Sequence, residues 1–133
     1  MVVNKISNIN KEQLEKLVKS LVKEQAIFMK FTADWCGPCK IIKPECDKLV
    51  NLCSENIYYI EIDVDESVEL FAFFKKQKLL KGIPAMYLYY GRDRSEDDKW
   101  YLPDYSVLGA DKSQLNVLAA KLSTYIRLPE EQG

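Results

Sequence analysis

The chain has 133 residues, 47% of them hydrophobic, and 19 basic residues against 20 acidic ones give a formal net charge of −1. This length and apolar content suit one core, so we expect a single domain over residues 1–133. The balanced charge does not indicate a nucleic acid or an anionic membrane as partner. The lack of histidine excludes the usual Cys-His and Ser-His hydrolases.

Apolar periodicity and turn residues predict strands that alternate with helices. The predicted elements, in chain order, are a strand over 2–6, a helix capped by Asn10 with Gln13, a strand over 26–33, a helix over 36–53 interrupted by Pro44, a strand over 56–65, a helix over 67–76, strands over 85–90 and 104–109, and a final helix capped by Asp111 with Gln114 and ended by Pro129. The alternation indicates a βαβ sheet with helices on its faces. The two late strands, joined by one loop, indicate an antiparallel hairpin at its end.

Cys36 and Cys39 lie between the predicted central strand and the helix that follows it. A thiol at a helix start faces unpaired N–H groups and the positive end of the helix dipole, which favour the thiolate. Cys36 can therefore attack a substrate disulfide, and Cys39, one turn further on, can resolve the mixed disulfide. Pro38 fits the first helical turn, and Gly37 gives the backbone freedom to close the ring.

The sequence WCGPCK, residues 35–40, resembles the active-site sequence of thioredoxins. The stretches KFTADWCGPCKIIKP, IEIDVDE, GIPAMYLYY and LGAD extend the resemblance, in the family's order, over residues 6–126. It implies an α/β thioredoxin fold with a central mixed five-stranded sheet flanked by about four helices. It also implies a protein-disulfide reductase with Cys36 as the exposed nucleophile and Cys39 as the buried resolving thiol.

The resemblance further implies a shallow substrate surface beside the dithiol. A cis peptide would precede Pro84, and the backbone of Ile83 would face an extended substrate peptide. Trp35, Gly109 and Ala110 would complete this surface. The implied partners are proteins with exposed disulfides and a thioredoxin reductase or an equivalent electron donor. No metal, no tightly bound cofactor, no nucleic acid and no membrane is expected.

The cysteine pattern and the N-terminal sequence indicate a reducing compartment. The four cysteines crowd into residues 36–53 instead of stapling distant segments together. The first residues lack the charged and then apolar pattern of a signal peptide, and the longest nearly apolar run, residues 83–90, is too short to span a bilayer. We therefore expect a cytoplasmic protein, and we expect it to be a monomer.

Lys30 is the first departure from the family pattern, because thioredoxins usually carry a buried aspartate at this position, below the second cysteine. By strand alternation Lys30 shares a face with Phe28 and Thr32. In one interpretation its stem lies along the sheet and its ammonium group reaches water. In the other it stays near Cys39, favours the thiolate or accepts its proton, and so shifts the pH profile of the resolving step.

Two segments are longer than is usual in the family. The stretch between the third strand and Pro84 gains a few residues, FAFFKKQKLLK, with phenylalanines that we expect in the core. The helix over 67–76 is expected to turn Val68, Phe71 and Phe74 or Phe73 inward. Residues 91–106 form an expanded hairpin loop that begins with a solvated charge run. Its Trp100, Tyr101 and Leu102 either pack back on the sheet edge, as we expect, or form a partner-docking patch. Residues 127–133 form a C-terminal tail.

The two remaining cysteines, Cys46 and Cys53, follow Cys39 at seven-residue intervals along one helix face. Seven helical residues rise about 10.5 Å, which exceeds disulfide reach, so we expect both as small buried side chains. Zinc is disfavoured, since four cysteines on one helix cannot converge into a tetrahedral site. A specialised disulfide oxidase or isomerase, or a thioredoxin-like interaction module with little redox turnover, remains an alternative to the reductase.

Overall fold

The computed structural model describes residues 4–125, except for the side chain of Thr124. Its elements are β1 (Asn4–Ser7), α1 (Lys11–Ser20), β2 (Ala26–Thr32), α2 (Gly37–Leu52), β3 (Ile57–Asp63), α3 (Val68–Lys76), β4 (Ala85–Tyr90), β5 (Tyr105–Leu108), α4 (Lys112–Lys121) and a 3-10 turn, Ser123–Tyr125. The predicted start of the first strand at Val2, the end of the last helix at Pro129 and the tail over 127–133 lie outside the described residues. No helix in the described part is long and apolar enough to cross a bilayer.

The five strands form one mixed sheet in the order β1-β3-β2-β4-β5. β3 pairs in parallel with β1 and β2, whereas β4 pairs antiparallel with β2 and β5. β2 is the central strand, and its residues from Ala26 to Phe31 are all buried, as expected for a strand covered on both faces. The predicted mixed sheet of five strands flanked by four helices is confirmed.

Each face of the sheet carries its own hydrophobic core. Ile27, Met29 and Phe31 of β2 belong to the core that also contains Leu14 of α1 and Phe74 of α3. The alternate residues of β2 point to the other face. There Ala26 and Phe28 pack with residues of α2 and α4, namely Ile42, Cys46, Leu49, Leu115 and Leu118. Strand alternation thus places Lys30, between Met29 and Phe31, on the face covered by α2.

Side-chain caps begin α1 and α4 as predicted. The Asn10 Oδ1 accepts a hydrogen bond from the Gln13 N–H at 2.7 Å, and the Gln13 Oε1 accepts one from the Asn10 N–H at 3.0 Å, which completes a capping box. The Asp111 Oδ1 accepts from the Gln114 N–H at 3.0 Å. Pro44 lies inside α2, which continues through it.

The inner face of α3 differs from the prediction at one position. Val68 was expected to face the core, but it is the first helical residue and is exposed. Leu70 and Phe74 are buried instead, because they lie four residues apart on the side that faces the sheet. Phe71 and Phe73 are half-buried beside them and pack against the same core.

The aromatic residues of the expanded loop pack against α3, not against the sheet edge as expected. Trp100 is only 8% exposed, and its ring stacks on that of Phe73 with centroids 6.0 Å apart. The Tyr101 ring meets the Phe73 ring edge-on, with centroids 5.2 Å apart. The backbone carbonyl of Tyr101 accepts a hydrogen bond from the Tyr89 hydroxyl at 2.8 Å. Leu102 is exposed. Because Trp100 and Tyr101 cover the half-buried side of α3, they extend the hydrophobic core and do not form a docking patch.

Gly91, directly after β4, lies against the turn that follows α1. Its N–H donates to the Gln25 carbonyl at 2.9 Å, and a Cβ added to it would lie 1.6 Å from the Val22 carbonyl oxygen. That contact is with backbone, so the turn would have to move. We predict that Gly91→Ala lowers the free energy of unfolding by about 2–4 kcal/mol in urea denaturation.

The matched control for this prediction is Gly82→Ala, where an added Cβ meets no atom within 4 Å. We expect it to change the free energy of unfolding by less than about 1 kcal/mol. Equal losses for the two variants would show that the close approach at Gly91 is not what requires glycine there.

Candidate active site

The start of α2 brings the two cysteines of the CGPC sequence together. Cys36 is the N-cap of the helix, in extended conformation, and Pro38 occupies its first turn. The Cys36 Sγ accepts a hydrogen bond from the backbone N–H of Cys39 at 3.1 Å. The two residues form a disulfide with their Cα atoms 5.3 Å apart. The helix start thus supplies a hydrogen-bond donor to the sulfur that would carry negative charge in the reduced form.

Exposure does not distinguish the two cysteines in this disulfide state. Cys36 was expected to be exposed and Cys39 buried, but each is 4% exposed. Cys36 is covered because its Sγ lies 3.8 Å from the carbonyl oxygen of Ile83. What distinguishes the two residues is the surface that each one lines: Cys36 borders a groove together with Ile83, whereas Cys39 borders a separate depression on another side.

The groove beside Cys36, defined here as the Cys36 groove, has a volume of about 400 Å³. Its lining residues are Trp35, Cys36, Gly37, Pro38, Phe71, Lys75, Lys81, Gly82 and Ile83. Trp35 is exposed, and its indole N–H donates to a carboxylate oxygen of Asp65 at 2.8 Å. The predicted residues Trp35 and Ile83 therefore do meet beside Cys36, on a largely apolar surface.

Gly37 does not need the conformational freedom that the sequence suggested. Its φ is not in the left-handed region, and an added Cβ would meet no atom within 4 Å. Ring closure between Cys36 and Cys39 is therefore achieved with ordinary backbone angles. The hydrogen in place of a side chain leaves the space at this part of the Cys36 groove open.

The loop before β4 contains the predicted cis peptide bond between Ile83 and Pro84. Gly109 adopts a φ of 91°, which glycine tolerates and most residues do not, and its N–H donates to the Pro84 carbonyl at 2.8 Å. Gly109 thus lies beside the cis-proline loop. Neither Gly109 nor Ala110 lines the Cys36 groove, and Ala110 packs against the core between the sheet and α4.

Lys30 is buried, which contradicts the interpretation that its ammonium group reaches open water. Its side chain is 4% exposed, and its Nζ lies 3.7 Å from the Oε1 of Glu61, its register partner on β3. Lys30, Glu61 and Cys39 line one depression of about 200 Å³. The lysine charge thus lies on the side of the disulfide where Cys39 is found, and a partly exposed carboxylate faces it.

Glu61 is held in place by a tyrosine as well. The hydroxyl of Tyr59 donates to the Glu61 Oε1 at 2.8 Å. Burial, reinforced by the Glu61 charge, raises the pKa of Tyr59 well above its ordinary value, so the phenol remains a donor at any working pH. The carboxylate oxygen nearest to Lys30 therefore has two partners, one neutral and one cationic.

Sequence reasoning missed both Glu61 and Asp65. Both belong to the stretch IEIDVDE, which was used only to support the resemblance. The acidic residues could have been noticed as possible partners for Lys30 and Trp35. Their pairing, however, depends on the register between β2 and β3, which no single strand encodes.

Cys46 and Cys53 are buried and unpaired, as expected. Burial raises the pKa of Cys46 to about 11, against the opposing influence of the Lys30 charge, and burial alone raises that of Cys53 to about 12. Both therefore remain thiols at neutral pH and do not compete with the dithiol as nucleophiles. Within residues 4–125, no three His, Cys, Asp or Glu side chains are grouped to hold a metal ion.

Comparison with known proteins identifies the family. The family model Thioredoxin matches residues 5–100. Thioredoxin 1 of Chlorobaculum tepidum is 32% identical over 80 residues, which cover 60% of this chain and 73% of the relative. Thioredoxin-T of Drosophila melanogaster is 36% identical over 61 residues, 46% of this chain but only 38% of the relative.

The solved structure of thioredoxin f from spinach chloroplast shows the same fold. It superposes with a TM-score of 0.65, covering 92% of this chain and 97% of that chain, at 19% identity. The predicted thioredoxin fold is therefore confirmed. The match of the family model, together with the close cysteine pair at the start of α2, shows that this chain belongs to the thioredoxin family of thiol–disulfide oxidoreductases.

Proposed function

We propose that this protein reduces disulfide bonds in other proteins, with Cys36 as the attacking thiolate and Cys39 as the resolving thiol. The observation that carries the proposal is the disulfide between these two residues at the start of α2, with Cys36 on the groove bordered by Trp35 and Ile83. This is the oxidised form that one round of substrate reduction would leave behind.

The first step uses the reduced dithiol. The Cys36 thiolate, stabilised by the Cys39 N–H and the helix start, attacks one sulfur of the substrate disulfide. The substrate S–S bond breaks, and its other sulfur leaves with the electron pair and takes up a proton. A mixed disulfide now joins Cys36 to the substrate, whose chain would lie in the Cys36 groove.

The second step releases the substrate. Cys39 loses its proton and attacks the Cys36 Sγ, the mixed disulfide breaks, and the second substrate sulfur leaves as a thiolate that is then protonated. Two electrons have passed from the dithiol to the substrate, and the Cys36–Cys39 disulfide has formed. The 5.3 Å between the two Cα atoms makes this second attack local.

The cycle closes when an electron donor of the thioredoxin-reductase type returns two electrons to the disulfide. Exposed disulfides of folded or unfolded proteins are the proposed substrates, since the Cys36 groove is open to solvent. We place the protein in a reducing compartment, the cytoplasm. We further propose that it acts as a monomer. The four cysteines, which crowd into residues 36–53 instead of stapling distant segments together, support the compartment.

Lys30 and Glu61 are proposed to set how readily Cys39 gives up its proton. Both line the depression that Cys39 borders. A positive charge there favours the thiolate of Cys39, and a negative charge opposes it. Because Lys30 is buried, its influence is weakly screened by solvent, whereas Glu61 is partly exposed and acts more weakly.

The same lysine favours one alternative function, a disulfide oxidase or isomerase. A cation that stabilises the thiolate also stabilises the reduced protein, which makes its disulfide a better oxidant. The Cys36 groove and the disulfide suit either direction of exchange. The reduction potential therefore decides between the two functions.

We predict a reduction potential for the Cys36–Cys39 pair close to the thioredoxin value of about −270 mV, measured by equilibration in defined thiol buffers. A reductase needs this value because its dithiol must pass electrons to ordinary protein disulfides. A potential between about −180 and −120 mV, the range of disulfide isomerases and oxidases, would contradict the reductase and favour the alternative.

We predict that Cys39→Ser accumulates a covalent mixed disulfide with a disulfide-containing protein, because the resolving thiol is missing. Non-reducing electrophoresis and mass spectrometry would detect the adduct and locate it at Cys36. Cys36→Ser is the matched control and should form little adduct, since Cys39 does not line the groove. More adduct at Cys39 than at Cys36 would reverse the two assigned roles.

We predict that Lys30→Met moves the pH profile of the resolving step to higher pH by about half a unit or more, because the charge that favours the Cys39 thiolate is lost. Glu61→Gln keeps an acceptor for Tyr59 and should move the profile to lower pH. Stopped-flow release of substrate thiol from a preformed mixed disulfide would measure both. The role is contradicted by an unchanged profile in Lys30→Met, or by shifts of the two variants in the same direction.

A further inference from the structure

The Cys36 groove carries positive charge at its rim and no negative charge. Lys75 and Lys81 are the charged residues among its lining residues. Both are exposed, and neither forms an ion pair within residues 4–125. The Lys75 Nζ lies 5.3 Å from the centroid of the Phe71 ring, which holds the cation over the apolar floor of the groove.

These cations come from the last turn of α3 and from the segment that connects α3 to the cis-proline loop. Lys75 lies in the last turn of α3, and Lys78, with a φ of 61°, turns the chain out of the helix. Lys81 follows two residues before Ile83, whose carbonyl oxygen lies against the Cys36 sulfur. The stretch that is long for the family thus delivers lysines to the edge of the candidate substrate surface.

Two acidic residues that lie beside Trp35, by sequence or by a hydrogen bond, do not line the Cys36 groove. Asp65 accepts the hydrogen bond from the Trp35 indole and does not line the groove. Asp34 borders the separate depression on the Cys39 side. The floor between Trp35, Phe71 and Ile83 is apolar, so a peptide seated there would meet hydrophobic surface below and two ammonium groups at the rim.

We propose that the Cys36 groove selects protein disulfides whose cysteine is flanked by carboxylate side chains. The proposal rests on the function proposed above and adds a substrate class to it. An extended acidic peptide places its carboxylates near Lys75 and Lys81 while its cysteine meets Cys36. Such exposed pairs act mainly by steering the encounter and by rejecting like charge, and salt screens them.

Matched peptides test the selection directly. Two disulfide-linked homodimers, of AECEA and AKCKA, differ only in the charge beside the cysteine. Because flanking charge alters the intrinsic reactivity of a disulfide, each kcat/KM is divided by the rate constant of the same peptide with dithiothreitol. We expect this normalised kcat/KM to favour the acidic peptide by about tenfold at low ionic strength, and by less than about threefold in 0.5 M salt.

Charge reversal locates the effect. In Lys75→Glu/Lys81→Glu the acidic-to-basic ratio should fall to about one or below, because the rim now repels carboxylates. Lys23→Glu/Lys48→Glu changes the net charge equally at two exposed lysines that do not line the Cys36 groove, and it should keep the wild-type ratio within about twofold. A ratio between two substrates cancels any general loss of activity in either variant.

Each outcome bears on a different claim. Equal normalised rates for the two peptides, or a ratio that falls as much in the control variant as in the groove variant, would overturn the selection and leave the reductase intact. Reduction of neither peptide by the wild-type protein, while dithiothreitol reduces both, would overturn the reductase and the selection with it.

Discussion

The burial of β2 on both faces and along both edges is the constraint on which the rest of the structure depends. The strand pairs with β3 on one side and β4 on the other, and its residues from Ala26 to Phe31 are all buried. The carboxyl end of β2 therefore has little freedom, and Cys36, the N-cap of α2, follows it four residues later. β4 starts at the same end of the sheet, just after the cis-proline loop, which is why the Ile83 carbonyl comes to lie against the Cys36 sulfur.

A lysine in the middle of such a strand needs compensation. An unpaired buried charge costs several kcal/mol, and a lysine can reduce that cost by pairing or by reaching water. Here Glu61 lies opposite on β3, with its Oε1 3.7 Å from the Lys30 Nζ. The ion pair between Lys30 and Glu61 thus depends on one register between two strands, and so does the influence on Cys39 that we propose for it.

The parts of the molecule that depend on local sequence could be predicted. The side-chain caps of α1 and α4 and the alternation of β2 follow from residue types at short spacing, and the cis peptide before Pro84 was implied by the family resemblance; the structure has all of them. Two failures were local, the inward side chain expected of Val68 and the conformational freedom expected of Gly37, whereas the others were contacts between distant segments. The stacking of Trp100 on Phe73 and the pairing of Lys30 with Glu61 depend on how elements meet, which one sequence does not specify. The prediction that Cys36 is exposed was wrong for the same reason, because the Ile83 carbonyl of a distant loop lies against its sulfur.

The start of α2 and the segment after α3, which lie on either side of the Cys36 groove, tolerate substitutions differently. The start of α2 is fixed by the disulfide geometry and by the hydrogen bond from the Cys39 amide, so its chemistry leaves little room for variation. The segment after α3 is exposed at Lys78, Lys81 and Gly82, whereas its Leu80 is buried in the core. Only the exposed positions can therefore change charge without disturbing the packing. In the selection that we propose, Lys75 and Lys81 act on the encounter with a substrate and not on the bond exchanged. Because the proposed selectivity is assigned to Lys75 and Lys81 and the proposed exchange chemistry to the dithiol, a substitution at one of these places is expected to change one property without the other.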